Sequence, residues 1–535
     1  MTGGDLLVAA LAERGLETVF GLPGVQLDGF FDALARQSRI RVIHTRHEQA
    51  TSYMADGYAR VSAAGIGCCA VVPGPGVLNA MAGLATAYAC CSRVLCVAGQ
   101  VRSDLIGSEL GLLHEIPDQL GVLRSATKWA GRATRPEDIP ALVAAAFEAM
   151  GTGRPRPAAV EVPFDVLEAT AAEPAAAAPR PDPQPPPDPA ALDRMAARLL
   201  AAERPLIAAG GGVVQSRAGG ELRELAERLG APVLVSMNGR GALPTDHPLA
   251  FDGLSAGVLF PAADVVLAVG TRFAAGMGKR RRLAPGQALL RIDADPQELR
   301  RGVDPELAVA ADARVGLAGL LARLHGDAPK PGWDGLEAVR TEAAERAGSL
   351  QPQAAFGAAI RSALPADAVV VNGMTQVGYW GRIGFPVLRP GTFLTAGYQG
   401  TLGFELPLAL GAQAAFPKGR VLTIAGDGGF LFNVGELATA VQHRLNVIAV
   451  VFNDGAYGNV RRIQAQRYGG RLIASTLHNP DFVRLAESFG AAGRRAGDPD
   501  ALRAAIVAAL EEDRPVVIEV PVGEMDDPWP LVLGG

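Results

Sequence analysis

Short, continuously apolar runs rich in Val, Ile and Ala alternate along this chain with longer stretches whose apolar positions recur at helical spacing. A strand buried in a parallel sheet is apolar on both faces, and a helix covering such a sheet needs only one apolar stripe. The pattern predicts strands at Arg39–Thr45, Gly67–Val72 and Arg93–Ala98, with helices over 46–60 and 77–89. Further strands are expected at Pro205–Ala209, Pro232–Ser236, Val265–Val269 and Ala288–Ile292. In the last third, Val421–Ala425 and Val447–Phe452 bracket a helix Asn433–Arg444, whose Val434, Leu437, Ala438 and Val441 share one face. Such alternation predicts an α/β fold of doubly wound parallel sheets covered by helices.

Two compositional breaks divide the pattern. Residues 171–190 carry eight prolines and a run of alanines, a composition that continues neither helix nor sheet and reads as an extended linker. A weaker polar break at 326–335 opens a connector expected to cover 327–349. The expected domains are therefore 1–170, 191–326 and 350–535, in keeping with a chain of 535 residues at about 150 residues per domain.

Composition narrows the function classes. Lys and Arg total 50 against 55 acids, a formal charge of −5, so no global basic field is available for nucleic acid. No spanning-quality apolar window and no basic-then-apolar leader is seen, so neither a membrane nor a nucleic-acid partner is expected, and a cytoplasmic address is. A small-molecule partner remains. The five cysteines, at 68, 69, 90, 91 and 96, sit in apolar surroundings as small buried hydrophobes rather than in a zinc-ligand spacing.

Candidate chemistry concentrates at predicted strand ends. Gly426-Asp427-Gly428-Gly429 follows one strand, and Asn453-Asp454-Gly455 follows the next. If those strands are neighbours, both acidic turns lie at the carboxyl edge of one sheet, where open α/β sheets bind ligands. A Gly-rich turn opening a helix admits a phosphate, and nearby oxygens suit Mg²⁺. Near the other end of the chain, Arg46-His47-Glu48-Gln49-Ala50 places an acid in the first turn of a helix. The turns Gly21-Leu22-Pro23-Gly24 and Pro73-Gly74-Pro75-Gly76 are expected to surround it.

With these motifs the chain resembles the thiamine diphosphate-dependent enzymes of the acetolactate synthase, pyruvate oxidase and 2-oxo acid decarboxylase group. The resemblance runs through GLPG at 21–24, RHEQAT at 46–51, GYAR at 57–60, GPG at 74–76 with Asn79, and Ala98-Gly99-Gln100-Val101. It continues through Thr127-Lys128-Trp129, GTLGFELPLALGA at 400–412 and GDGGF with the distant FND. It implies that the three domains bind the pyrimidine, form a middle module, and bind the diphosphate. It also implies Glu48 as the acid that hydrogen-bonds the cofactor ring, with Pro23 and Asn79 nearby. Gly400 and Leu402 would meet the pyrimidine, the Leu402 side chain lying beneath the cofactor. Thr375, Gln376, Gly428 and Gly429 would approach the diphosphate, and Asp427, Asp454 and the Ala456 carbonyl would hold Mg²⁺. Half-sites from two subunits would make a homodimer the minimum and a tetramer a common assembly.

Departures from the family pattern bear on substrate and flavin. Asp454 stands where the family usually has Asn, Ile463 where acetolactate synthases place a Trp, and Val72 where benzoylformate-type enzymes have a His. The paired histidines of pyruvate decarboxylases are missing. His114 is the catalytic candidate among the seven histidines, and Val25 and Gln26 are expected to line the substrate pocket beside it. Some relatives bind FAD in the middle domain; Gly210-Gly211-Gly212 follows a strand there, and Thr271-Arg272-Phe273-Ala274-Ala275-Gly276 lacks the acidic pair that follows in acetolactate synthases, which argues against flavin. The expected reaction is decarboxylation of a 2-oxo acid, pyruvate first, with acyl transfer to a carbonyl acceptor. The alternatives are a simple decarboxylase, a C–C lyase on a ketone-bearing substrate and, more remotely, a non-catalytic cofactor-binding subunit.

Overall fold

The computed structural model describes residues 1–171, 186–274, 281–324 and 330–534. Its core is three six-stranded sheets in which every strand pair is parallel. In spatial order the first sheet runs Arg41–His44, Thr18–Gly21, Gly67–Val71, Val94–Gln100, Ala158–Pro163, Trp129–Arg132. The third runs Phe393–Leu394, Val369–Asn372, Val421–Gly426, Ile448–Asn453, Val516–Pro521, Ala492–Arg495, which is the same topology. The middle sheet runs Leu307–Ala310, Ala288–Asp293, Val265–Val269, Pro205–Ala209, Val233–Val235, Ala250–Phe251. Counted within its own domain, that order is the doubly wound arrangement of dinucleotide-binding folds.

Each sheet reverses its winding at one point, and there the crossover helices leave a crevice at the carboxyl edge. In the first sheet this is the neighbourhood of Gly21, which pairs with His44 on one side and Ala70 on the other. The three turns expected around Glu48 therefore leave three adjacent strands. In the third sheet Gly426 pairs with Phe452, so the turns bearing Asp427 and Asp454 follow neighbouring strands.

The first and third domains do not keep separate interiors. One apolar cluster runs from Phe20, Tyr53, Met54 and Val71 into Phe404, Leu408, Val421 and Val451. Its seam is the crossing of helix Glu48–Val61 with helix Glu405–Ala415. Glycines make that crossing close: a Cβ on Gly57 would lie 2.0 Å from the Leu408 carbonyl oxygen, and one on Gly411 would lie 1.9 Å from that of Met54.

Several elements differ from the pattern-based expectation. Residues 336–348, expected within a connector, form a helix Leu336–Gly348. Its sequence LEAVRTEAAERAG is polar nearly all round, so no stripe announced it, yet Leu336 and Val339 pack with Trp333 on the middle domain. Of the Pro-rich linker, residues 172–185 lie outside the described residues, as do 275–280; helix Pro189–Ala201 already begins before the linker's expected end. The expected helix 433–444 is found as the shorter Glu436–His443, and a separate short helix, Asp427–Phe432, precedes it. Asn433 separates them because its amide is spent on other segments, donating to the Gly403 carbonyl at 2.7 Å and to Gln49 Oε1 at 3.0 Å. All five cysteines are free thiols, four of them buried. Among the described residues no helix is long and apolar enough to cross a membrane.

Gly411→Ala should destabilise the protein by on the order of 3 kcal/mol, because the added methyl meets backbone that cannot rotate away. Gly257→Ala, at a helical position with open space, should change stability little. Denaturant midpoints of the two variants check this; equal midpoints would contradict the close crossing.

Candidate functional site

The first half of the site is built on helix Glu48–Val61. Strand Arg41–His44 ends just before it, and His47 caps it by accepting the Gln49 N–H on Nδ1 at 3.1 Å. Helix starts leave backbone donors without partners, and here a carboxylate from the other end of the chain takes them. The Arg46 and His47 N–H groups both donate to Glu436 Oε1 at 3.0 Å. Burial pushes the Glu436 carboxyl up, and its bonds to Thr439, Arg46 and His47 oppose that rise. Glu48 is half-buried, and its Oε2 accepts the Asn79 amide at 3.0 Å. Glu48 and Asn79 are thus brought together by two helices, and Oε1 is left for another partner.

His114 and Gln26 also meet. Gln26 Nε2 donates to the Leu113 carbonyl at 3.1 Å, which turns Oε1 toward His114 Nδ1 at 3.0 Å. With the amide held that way, Nδ1 is the protonated nitrogen and Nε2 the free one. Gln26 is itself buried, so it orients His114 more than it lines open space. His114 has φ +68°, and its backbone lies against Gly74, where a Cβ would be 2.3 Å from the His114 oxygen. The Gly74 N–H donates to Gln119 Oε1 at 2.7 Å, so this wall is anchored inside the domain. Val25 and Pro23 are exposed. Val72 is packed in the N-terminal core with Leu27 and Val97 instead of facing open space.

The second half lies at the carboxyl edge of the third sheet. Asp427 opens the helix after strand Val421–Gly426; its Oδ1 accepts the Gly428 N–H at 2.8 Å and its Oδ2 the Asn479 amide at 2.6 Å. The same Asn479 nitrogen donates to Asn453 Oδ1 at 2.9 Å. Asp454 Oδ1 accepts the Ala456 N–H at 3.1 Å. Burial pushes the Asp427 carboxyl up, against the backbone and Asn479 bonds. Burial, and then the neighbouring Asp427, push Asp454 up to about 6. Two carboxyls that each resist ionising in a common cleft are a site short of positive charge.

The donor set fits a hard divalent cation. Two carboxylates and backbone oxygens are oxygen ligands of the Mg²⁺ type; among the described residues no cluster of three or more His, Cys, Asp and Glu offers a softer alternative. Thr375 and Gln376 begin helix Gln376–Gly384 at the end of the adjacent strand, and Gln376 Oε1 is buried without a hydrogen-bond partner. Gly428 is crowded, a Cβ there meeting Tyr457 at 2.6 Å, so only glycine fits this step. Gly400, at φ +56°, turns the chain with only Met374 within reach of a Cβ, and the Leu402 side chain is half-buried. Ile463 lies half-buried on helix Gly458–Arg467. Asn479, Glu436 and Glu405 were not foreseen from the sequence; each acts through a partner remote in the chain, and only the Asn-Pro turn at 479–480 offered a local signal.

The middle domain contributes a separate crevice. A cavity of about 1480 Å³ opens between it and its neighbours, lined by Gly211, Gln215, Arg217, Asn238, Thr271 and Arg272 among others. The Gly210 and Gly270 turns touch there, a Cβ on Gly210 falling 2.1 Å from the Gly270 oxygen.

Comparison with known proteins follows the same division. Residues 1–122 match the family described as thiamine pyrophosphate enzyme, N-terminal TPP binding domain; 192–320 match its central domain; and 373–520 match its C-terminal TPP binding domain. The chain is 37% identical over 530 residues to a probable 2-ketoarginine decarboxylase, AruI, of Pseudomonas aeruginosa, covering 97% of this chain and 94% of that protein. It is 34% identical to a probable acetolactate synthase large subunit of Methanocaldococcus jannaschii, over 97% and 92% of the two chains. It is 31% identical to the acetolactate synthase isozyme 3 large subunit of Escherichia coli, over 100% and 97%.

A carboxyl whose folded-state value is raised stabilises the fold below its unfolded value and loses that contribution as pH rises through the folded one. For Asp454 the window runs from about 4 to about 6. In chelator, Asp454→Asn should therefore be more stable than the parent at pH 8, by on the order of 1–2 kcal/mol after allowance for its partial exposure, and no more stable at pH 4. It should also retain cofactor binding under saturating Mg²⁺. Denaturant unfolding at the two pH values and calorimetric titration check both; a variant that is less stable at pH 8, or that cannot bind, would contradict the assignment.

Proposed function

The chain belongs to the thiamine pyrophosphate enzyme family, and from that premise we propose that it uses thiamine diphosphate and Mg²⁺ to decarboxylate a 2-oxo acid, pyruvate first, and to pass the acyl unit to a carbonyl acceptor. The observation that carries the proposal is the pairing of Asp427 and Asp454 on adjacent strand ends of a diphosphate-type sheet, with Glu48 retained in the other terminal domain. The retained Glu48 also argues against a non-catalytic subunit. The cofactor, when bound, supplies the carbon nucleophile for the 2-oxo carbonyl and the electron sink for the departing CO₂.

In this reading Asp427, Asp454 and the Ala456 carbonyl hold the metal, and Thr375, Gln376, Gly428 and Gly429 receive the diphosphate. Gly400 and Leu402 support the pyrimidine, the Leu402 side chain from beneath. Glu48, steadied by Asn79 on Oε2, holds a proton at a ring nitrogen through Oε1. His114, with Nδ1 committed to Gln26, presents Nε2 for proton exchange with substrate. Val25 and Ile463 line the substrate side, with Val72 behind them. Flavin is not part of the proposal, because the acidic pair expected after Arg272-Phe273 is missing.

The two half-sites are proposed to meet across a homodimer. Large apolar side chains are exposed around both: Val25, Leu110 and Leu113 in the first domain, Phe432, Tyr468 and Ile473 in the third. Exposed apolar residues gathered beside two incomplete half-sites fit a surface covered by a second copy.

A second reading, decarboxylation without an acceptor, is favoured by the 37% identity to a protein named a probable 2-ketoarginine decarboxylase. The replacement of a Trp by Ile463 also leaves room for a longer side chain on the 2-oxo acid. Product analysis by mass spectrometry decides between them. With pyruvate plus an aldehyde or second pyruvate, a 2-hydroxyketone or acetohydroxy acid is expected. If 2-ketoarginine is consumed to an aldehyde and pyruvate is untouched, the second reading replaces the first.

A further inference from the structure

Glu405 is a buried acid that the family reading does not use. It begins helix Glu405–Ala415 and is 1% exposed. Its Oε1 accepts the Met374 N–H at 3.1 Å, and the Gly403 N–H also bonds its carboxyl. Its Oε2 is buried and has no hydrogen-bond partner among the described residues. A Cβ on Gly429 would lie 3.4 and 3.6 Å from the two oxygens, and one on Gly373 would lie 2.9 Å from Oε1. The carboxyl thus sits where three segments of the cradle converge: the turn before Thr375, the turn after Leu402, and the Gly-Gly step after Asp427.

No Lys or Arg pairs with this group among the described residues. The titratable groups facing it are Tyr53 on the helix that carries Glu48 and Tyr379 on helix Gln376–Gly384, both themselves pushed up by burial. Arg382, on the same helix as Tyr379, is turned to the Met374 sulfur at 3.0 Å. An ionised Glu405 would therefore be a buried, unpaired anion next to the backbone that receives another anion. Buried charges without partners are strongly disfavoured, and like charges nearby raise the cost.

We propose that Glu405 is a positioning residue of the cofactor cradle that works in its protonated form, so that seating the diphosphate is coupled to proton uptake by this carboxyl. Oε1 takes the amide donors and ties two of the three segments together; Oε2 carries the proton. Burial already holds the group at about 7 without cofactor. An adjacent diphosphate pushes it higher, so affinity is full below about 7 and falls as pH rises above it. The inference rests on the thiamine diphosphate reading and adds to it the linkage of cofactor binding to one proton.

The test compares the whole protein with Glu405→Gln, whose amide mimics the neutral acid, by calorimetric titration with thiamine diphosphate and Mg²⁺ from pH 6 to pH 9. Near pH 6 the two should bind within about threefold of each other. By pH 9, two units past the group's value of about 7, the variant should bind about tenfold or more tighter, each unit being worth up to a factor of ten. At pH 8, in buffers of different ionisation heat, the parent should take up more protons on binding than the variant. Glu405→Ala, which also has nothing to titrate, should show the same flattened pH dependence even if its affinity is lower throughout. Parallel pH dependences in parent and variants would overturn the role of Glu405 and leave the cofactor reading intact. Absence of binding by all three proteins at every pH would overturn both.

Discussion

The structure depends on two helices passing almost backbone to backbone. At the crossing of Glu48–Val61 with Glu405–Ala415, Gly57 and Gly411 each face a carbonyl of the opposite helix at a distance no side chain tolerates. One helix begins with the acid of the first domain, and the other begins at the floor of the third domain's cradle. Their contact makes a common core of two domains far apart in sequence and fixes how one half-site stands to the other within a chain. The Glu436 carboxylate reinforces the seam by accepting the free N–H groups ahead of Glu48. The orientation of a first-domain acid is thus set by third-domain residues.

Charge in the third domain follows one pattern. Asp427, Asp454, Glu405 and Glu436 are all pushed up from their ordinary values, with burial the largest cause each time. Their hydrogen-bond partners are backbone N–H groups, an amide and a hydroxyl, and the charges of Arg46 near Glu436 and Arg461 near Asp454 are the smallest of the opposing effects. Such a surface is costly while empty and is relieved by groups that bring positive charge or protons. A divalent cation suits the Asp427–Asp454 pair, whereas Glu405, buried with Oε2 unpartnered among the described residues, is in the proposal relieved by a proton. In the proposed function the carboxyls divide between binding metal and holding the backbone that surrounds it.

Much of the fold was legible because buried parallel strands announce themselves. Pro205–Ala209 and Val265–Val269 are found with the bounds that their apolar runs suggested. The convergence of turns also followed from local signals, since a Gly-rich segment after a strand can only sit at the sheet's carboxyl edge. What could not be read were features whose cause lies elsewhere in the chain. Helix Leu336–Gly348 is held by a few contacts, Leu336 and Val339 on the middle domain and Ala347 in the third-domain core, and Asn433 ends a helix by bonding Gly403 and Gln49. Glu405 looked like one more residue in an apolar segment; its environment comes from Met374, Gly403 and Gly429. Likewise His44 and His443, without context in the sequence, pack edge to face across the domain seam.

The central claim is that a single carboxyl, Glu48, activates a heterocycle whose charged tail is anchored at the other end of the chain. Glu48→Gln measures it most directly, with turnover and thiamine diphosphate affinity determined on the same preparation. The account predicts affinity kept within about tenfold and turnover lowered by roughly 10²–10⁴, the range expected when a proton-transfer group is removed. Unchanged turnover at full cofactor occupancy would contradict it.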